Sequence, residues 1–398
     1  MKILVINAGS SSLKYQLLDM DSNKLLAKGN CECIGTGGIV THKKTGATPY
    51  RAEPDFPTHE EALAEVLRLL TDAELGVIAD VSEIDAVGHR VVHGGKYKES
   101  TLIDDEVISY LESIVPINPL HGPAAIIGMR GCIKLMPGKP QVAVFDTAFH
   151  ATMEPESFLY PIPYEMYEKY SIRRYGFHGT SHRYVSKRAA ELAGKPMEEL
   201  KIVTCHLGNG SSIAAEMNGK VIDTSMGFTP LAGIPMGTRC GDIDPSVVTY
   251  MLNNLGMTGK EVDDLMNRKS GLLGVSGLSN DFRTVVAAAK EGHERALLAF
   301  NLLKHGIKKT IGSYVAEMNG IDVLVFTAGI GENQQDIRAA VCRDMDYLGI
   351  KMDEEKNMAV QGYETCVSAA DSKVQIWIIP TEEELMIAKD TAALATAK

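Results

Sequence analysis

Apolar residues along the chain fall into short β-rich runs that alternate with amphipathic stretches of helical period. The first run is Lys2-Ile-Leu-Val-Ile6, and a second covers residues 13–18. Between them lies Asn7-Ala-Gly-Ser-Ser-Ser12, which predicts a tight β-hairpin whose turn has almost no side-chain bulk. About two hundred residues later, a plausible size for one domain, the same pattern returns. Lys201-Ile-Val-Thr-Cys-His-Leu207 runs as a strand, turns on Gly208-Asn-Gly-Ser-Ser212 and leaves as a strand through Ala215. The repeat predicts a duplicated α/β fold with one such hairpin in each half.

The remaining pattern interleaves strands and helices. Residues 34–57 read as Gly-rich and irregular. Thr58-His-Glu-Glu61 is a capping box that opens an amphipathic helix to about Leu75. Residues 84–92 predict a strand, 104–115 a helix, and Pro123 the first turn of the next helix. Gln141-Val-Ala-Val-Phe145 is a buried strand that delivers Asp146 at its C-terminal end, where α/β sheets place ligands. Beyond a Pro- and Tyr-rich segment, Tyr175-Gly-Phe-His-Gly-Thr-Ser-His182 leads into a helix to Ala193. Residues 226–245 form a Gly/Pro-rich loop, and long helices fill 282–318. Residues 321–328 are a strand entering Gly329-Ile-Gly-Glu-Asn333, and residues 374–379 are the last strand. Thr381-Glu-Glu-Glu384 predicts a second capping box, with Glu384 at its third position. The expected division is a first domain of residues 1–149 plus 384–398 and a second of 150–383.

Composition narrows the function. The 398 residues are 45% hydrophobic and 23% charged, enough for two well-filled cores. A net charge of −11 with no basic run argues against nucleic-acid and anionic-membrane partners. The seven cysteines are scattered and fit a reduced, cytoplasmic setting. No stretch has signal-peptide or membrane-spanning character. No Gly-Lys pair sits in a Walker P-loop, and Gly329-Ile-Gly-Glu-Asn-Gln334 lacks the third glycine of a dinucleotide fingerprint. His178 and His182 stand one helical turn apart without a third metal ligand in view.

A bare turn exposes backbone N–H groups and hydroxyls, which suit phosphate oxygens. Ser10 and Ser12 supply the hydroxyls, Lys14 a mobile positive charge, and Asn7 a neutral oxygen for hydrated Mg²⁺. A Ser-rich hairpin has the same composition, and its duplication is what favours the phosphate reading.

The ordered set Asn7-Ala-Gly-Ser-Ser-Ser-Leu-Lys14, Gly88-His-Arg-Val-Val-His-Gly-Gly95, Val144-Phe-Asp-Thr-Ala-Phe-His150, Tyr175 to His182, Cys205-His-Leu-Gly-Asn-Gly210, Met236-Gly-Thr-Arg-Cys-Gly-Asp242 and Thr327 to Asn333 closely resembles the acetate kinase family from Met1 to the final helix. The resemblance implies the duplicated actin-like (ribonuclease-H-like) fold of the actin/hexokinase/heat-shock-ATPase group, with a nucleotide cleft between the halves, usually in a homodimer. It implies Mg²⁺-dependent transfer between ATP and acetate, giving ADP and acetyl phosphate, with Mn²⁺ as an alternative metal.

The resemblance also implies site roles. Arg90 and Arg239 match the two active-site arginines, and a guanidinium fork suits both a carboxylate and a phosphoryl group in transit. Val92, Leu120, Phe177 and Pro230 match a pocket for the acetate methyl group. His178 matches the transition-state stabiliser, with His121 and His206 in support. Asp146 matches an essential carboxylate; acetate is already ionised at pH 7, so orienting Mg²⁺ or its waters suits it better than base catalysis. Glu383 aligns with the Mg²⁺-associated glutamate, next to Glu382, which stands where relatives commonly have Asn or Asp. His206, Leu207, Gly208, Asn209 and Gly210 resemble the second phosphate loop. Asp281, Phe282 and Arg283, with Gly329, Ile330, Gly331, Glu332 and Asn333, resemble the adenosine segments. A propionate or butyrate kinase is the nearest alternative, since one methylene is worth about 1–3 kcal/mol. A non-catalytic actin-like nucleotide switch is the other, and it has no need of two arginines beside a small pocket.

Overall fold

The computed structural model describes residues 1–119, 121–360 and 362–397. The chain divides into two compact units, residues 1–149 with 382–398 and residues 150–381. The second crossing falls at 381/382, against 383/384 expected from the sequence.

The first unit is built on β1 (Lys2–Gly9), β2 (Ser12–Asp19), β3 (Lys24–Glu32), β4 (Ile39–Lys44), β5 (Tyr50–Ala52), β6 (Ala86–Val91), β7 (Thr101–Leu102) and β8 (Gln141–Phe145). They form one sheet in the order β5-β4-β3-β2-β1-β6-β8-β7. β1 and β2 pair antiparallel as the predicted hairpin, with Asn7 opposite Lys14 and Gly9 opposite Ser12, while β6 and β8 run parallel to β1. The sheet is wider than the sequence suggested: β4 and β5 occupy the stretch read as irregular. Ile39-Val-Thr-His42 alternates toward the core, and His42 is held there by the Tyr15 hydroxyl at 2.5 Å and the Leu75 carbonyl at 3.1 Å. Flanking glycines and a buried histidine hid the alternation. The helix His59–Thr71 opens on the predicted Thr58–Glu61 capping box and stops one turn short of Leu75.

The second unit carries β9 (Lys201–Leu207), β10 (Ser211–Met217), β11 (Lys220–Thr224), β12 (Val323–Thr327), β13 (Thr365–Cys366) and β14 (Gln375–Ile378), in the order β11-β10-β9-β12-β14-β13. Its β9–β10 hairpin is antiparallel, and β12 and β14 run parallel to β9. The run β3-β2-β1-β6-β8 of the first unit therefore repeats as β11-β10-β9-β12-β14 in the second. Each unit is an actin-like α/β domain, and the duplication read from the two hairpins holds throughout the sheets.

Cores fill both faces. In the second unit Val203, Cys205, Leu324 and Phe326 pack under the helix Glu294–Glu317, and Ile202, Val323 and Val325 pack under the helix Gly179–Ala193. In the first, the terminal helix Glu383–Thr396 lies on the sheet through Ile387 and Ala388 against Ile3, Val5 and Val144. Gly88 on β6 makes that approach possible. A Cβ there would stand 2.4 Å from Thr391 Oγ1 and 2.8 Å from Ile387 Cγ2. The same helix begins at Glu383, and Arg90 lies two residues along β6. Gly88→Ala is expected to destabilise the first unit by about 1–3 kcal/mol through overpacking and to lower turnover as well. A melting temperature equal to wild type in differential scanning fluorimetry would show that the helix has room to move.

Candidate active site

Within the first unit the polar residues of the β1–β2 hairpin gather at one end. Ser10 and Ser11 form its two-residue turn. Asn7 and Lys14 are cross-strand partners and so share one face, while their neighbours Ala8 and Leu13 are buried on the other. A Cβ on Gly9 would meet Ser12 Oγ at 2.8 Å, and the Gly9 carbonyl bonds His59 Nε2 at 2.7 Å, which ties the turn to the first helix.

Asp146 follows β8 and is 1% exposed. Its carboxylate accepts two hydrogen bonds from Arg90, at 3.2 Å from Nε and 2.8 Å from Nη2. Glu383 Oε2 stands 3.8 Å from Arg90 Nε. Burial alone would lower the Arg90 pKa, but Asp146 and then Glu383 outweigh it and hold the guanidinium above its ordinary value. Asp146 takes one edge of the fork, which leaves the Nη1 and Nη2 edge geometrically suited to a second carboxylate. Val92, half-buried, follows the end of β6. Leu120 lies outside the described residues, and His121 stands directly before the helix Gly122–Leu135.

The C-terminal capping box does not form. The terminal helix starts at Glu383 with Glu382 at its N-cap and no side-chain cap bond. Thr381 instead donates its backbone N–H to Glu332 at 3.1 Å and its hydroxyl to Ser181 at 2.8 Å. Glu384 is thus released from capping. Burial pushes its carboxyl up, with Glu383 adding, while Arg90 and Lys14 pull it down. The sequence reading gave Glu384 a structural role; its position in the charge cluster is visible only in the fold. Asp146, Glu383 and Glu384 set three carboxyl groups around Arg90. Among the described residues no three His, Cys, Asp or Glu side chains stand together to hold a metal ion directly, so a hard cation such as Mg²⁺ would be held here largely through its waters.

In the second unit His178, Arg239 and the turn Gly208–Gly210 come together. A Cβ on Gly210 would lie 3.3 Å from Arg239 Nη1 and 3.5 Å from His178 Nε2. His178 has a left-handed backbone, φ 57°, at the start of the helix Gly179–Ala193, a conformation that costs energy outside glycine. Its ring stacks on His206 at 4.1 Å, and its Nδ1 bonds Ser212 Oγ at 2.8 Å. His206 Nδ1 bonds Ser181 Oγ at 2.8 Å. Arg239 donates to the Pro230 carbonyl at 3.1 Å, so two of the residues singled out from the sequence touch. Burial lowers the Arg239 pKa. The Arg239 loop is clipped to the turn by the Gly237 N–H to the Asn209 carbonyl at 3.1 Å, and a Cβ on Gly237 would collide with Asn209 Oδ1 at 1.9 Å. Phe177 is 2% exposed.

Beside this cluster a cavity of about 520 Å³ is lined by Gly208, Asn209, Asp281, Phe282, Arg283, Gly329, Ile330 and Asn333, together with Asn280 and Gln334, which the sequence did not single out. Asp281 caps the helix Phe282–Lys290 through the Arg283 N–H at 2.9 Å and pairs with the exposed Arg283 guanidinium at 2.6 Å. Leu207, Gly331 and Glu332 are placed otherwise. Leu207 is a core side chain, and Glu332 faces Thr381. The Gly331 carbonyl accepts from Arg338, a fully buried arginine that also binds the Glu332 carbonyl and Asn357. Nothing in the run Ile337-Arg338-Ala339 distinguishes Arg338 from a surface arginine.

The Acetokinase family profile matches residues 2–389. The chain is 58% identical to an acetate kinase of Thermoanaerobacter pseudethanolicus over 397 residues, 99% of each chain. Its fold superposes on a crystal structure of Porphyromonas gingivalis acetate kinase with TM-score 0.95 at 47% identity, covering 99% of each. A propionate kinase from Francisella tularensis gives TM-score 0.92 at 40% identity, covering 98% of this chain and 99% of that one. With a family match across nearly its whole length and relatives above half identity, the chain belongs to the acetate kinase family.

Proposed function

We propose that this chain catalyses the reversible, Mg²⁺-dependent transfer of the ATP γ-phosphoryl group to acetate, giving acetyl phosphate and ADP. The observation that carries this reading is the convergence of Arg239 Nη1 and His178 Nε2 on Gly210, next to the cavity of the second unit. Two donors aimed at one point beside a nucleotide-sized cavity suit a phosphoryl group whose equatorial oxygens carry the charge of the transition state. In this reading the cavity holds the nucleoside, with Asp281, Phe282 and Arg283 on one side and Gly329, Ile330 and Asn333 on the other. The Gly208–Gly210 turn and the Ser10, Ser12 and Lys14 hairpin hold phosphates.

Arg90 receives the acetate carboxylate on the edge that Asp146 leaves open, and the family resemblance offers Val92, Leu120, Phe177 and Pro230 for the methyl group. An acetate oxygen attacks the γ-phosphorus as the bond to the ADP β-phosphate oxygen breaks. Acetate arrives ionised, so no proton has to be removed. Asn7 and Glu383 would hold Mg²⁺ through its waters. Bound there, the metal would supply positive charge to offset that of the phosphate oxygens.

Exposed apolar side chains on the helices Pro245–Asn253 and Glu294–Glu317, among them Val247, Tyr250 and Leu298, support a homodimer, whose mass light scattering would read. Among the described residues no helix is long and apolar enough to cross a membrane. All seven cysteines are free, in keeping with the cytoplasm.

Three outcomes test the reading. A hydroxamate assay for acyl phosphate should detect product with acetate, and Arg90→Ala or Arg239→Ala should cut turnover by about 10²-fold or more with circular dichroism intact. Lysine at either position should rescue poorly, because it lacks the planar fork; near-normal turnover in an alanine variant would remove that arginine from the mechanism. In the same assay Val92→Ala should raise kcat/KM for propionate relative to acetate by about tenfold, the scale of one methylene. An unmoved ratio would take Val92 out of the pocket. Because a single displacement inverts configuration, a chiral γ-phosphate should emerge inverted in acetyl phosphate, and retention would point to a phosphoenzyme.

A further inference from the structure

A line of buried polar side chains, joined by hydrogen bonds from Thr204 onward, runs through the second unit to His178. Glu216 on β10 is 1% exposed. One of its carboxyl oxygens accepts from the Ser186 hydroxyl, and the Thr204 hydroxyl on β9 also interacts with the carboxyl, while Oε2 closes no hydrogen bond. Thr204 Oγ1 lies 2.7 Å from His182 Nδ1, and His182 Nε2 lies 2.7 Å from Ser212 Oγ. Ser212 Oγ in turn lies 2.8 Å from His178 Nδ1. Thr204, His182 and Ser212 are fully buried.

Proton counting gives this line a direction. A hydroxyl has one proton, so Ser212, lodged between two ring nitrogens, donates to one ring and accepts from the other. The tautomers of His182 and His178 are therefore coupled. Burial, with His150 and His206 adding to it, takes His182 well below its ordinary pKa, so its ring is neutral and carries one N–H. Burial pushes the Glu216 acid up to about 8, so at neutral pH it has a proton to donate. Donation from Glu216 to Thr204 turns the Thr204 hydroxyl proton toward His182 Nδ1. His182 Nε2–H then donates to Ser212, and the Ser212 hydroxyl donates to His178 Nδ1. The proton of His178 is left on Nε2, the nitrogen that faces Gly210.

We propose that Glu216, Thr204, His182 and Ser212 form a buried relay of positioning residues that sets the ring tautomer of His178 and presents its Nε2–H to the transferring phosphoryl group. The proposal rests on the reading of His178 as the phosphoryl contact. Ionised Glu216 reverses every link. The carboxylate accepts from Thr204, Thr204 accepts from His182 Nδ1–H, Ser212 donates to His182 Nε2, and Ser212 accepts from His178 Nδ1–H. His178 then turns a bare nitrogen toward Gly210. The ionisable groups facing this line are His150 and His206 beside His182, His206 stacked on His178, and Arg239 beside Gly210. Among the described residues no charged group is a cause of the Glu216 shift.

Two-bond ¹H–¹⁵N correlation spectra of the full chain, labelled on its histidine rings, read the tautomer directly; His178→Gln assigns the His178 signals. In the wild type at about pH 7, His178 should be protonated on Nε2, and by about pH 9.5, above the acid of Glu216, a substantial Nδ1–H fraction should appear. Glu216→Gln substitutes an amide N–H donor that cannot ionise, so its His178 should stay on Nε2–H at both values. Over the same interval wild-type kcat should fall severalfold relative to Glu216→Gln, with KM for ATP within about twofold. A wild-type His178 protonated on Nδ1 at neutral pH overturns the proposal. So does a tautomer that ignores pH, or one that responds alike in both enzymes. Were the Gln variant not to fold, the two wild-type spectra would decide alone. Normal turnover in His178→Ala would instead remove the phosphoryl contact and leave the tautomer result standing.

Discussion

Asp146 is a carboxylate at 1% exposure, and in a protein interior an ionised acid persists only when paired and hydrogen-bonded. Arg90 on the adjacent parallel strand supplies two hydrogen bonds to it. Much of the first unit follows from that pairing. β6 must run beside β8 in the register that sets Arg90 opposite Val144, two residues short of Asp146. The terminal helix must come close enough to bring Glu383 to the same guanidinium, and it does so by lying on Gly88, where no side chain intervenes. The ion pair also orients the Arg90 fork.

The second unit meets a different constraint. Its Gly208–Gly210 turn is held by polar groups: two stacked histidines, three hydroxyls and the clipped Arg239 loop. Such a network has defined proton positions only if each donor finds an acceptor, and burial makes each mismatch expensive. Rigid placement of His178, despite its left-handed backbone, is what this network achieves. The nucleotide-type cavity is supported in the same manner from behind, by the buried Arg338 gathering the carbonyls of Gly331, Glu332 and Val360.

The hairpins, the parallel strands after them, the Thr58–Glu61 cap and the segments that line the second unit's cavity were all legible in the sequence, because each is a local matter. Two-residue alternation, a capping spacing or a glycine run declares itself within about ten residues. β4 and β5 were missed because they are short and flanked by glycines, and so carry little alternation. The Thr381 capping box was wrongly expected because the same Thr-x-x-Glu spacing can be overruled when both groups find distant partners, here Ser181 and Glu332 for Thr381.

By itself the sequence determined the duplication, the α/β class and, through ordered motifs, the family. These depend on local periodicity and on residue order. Tertiary structure alone decided which acids share Arg90, that Glu384 joins them, that Leu207 is a core side chain while Glu332 bonds Thr381, and that Thr204, His182 and Ser212 stand in line behind His178. Those facts depend on pairings between residues far apart in the chain, such as Arg90 with Asp146 and Ser181 with Thr381. A side chain's partner, and with it its charge state, is chosen by the fold that surrounds it.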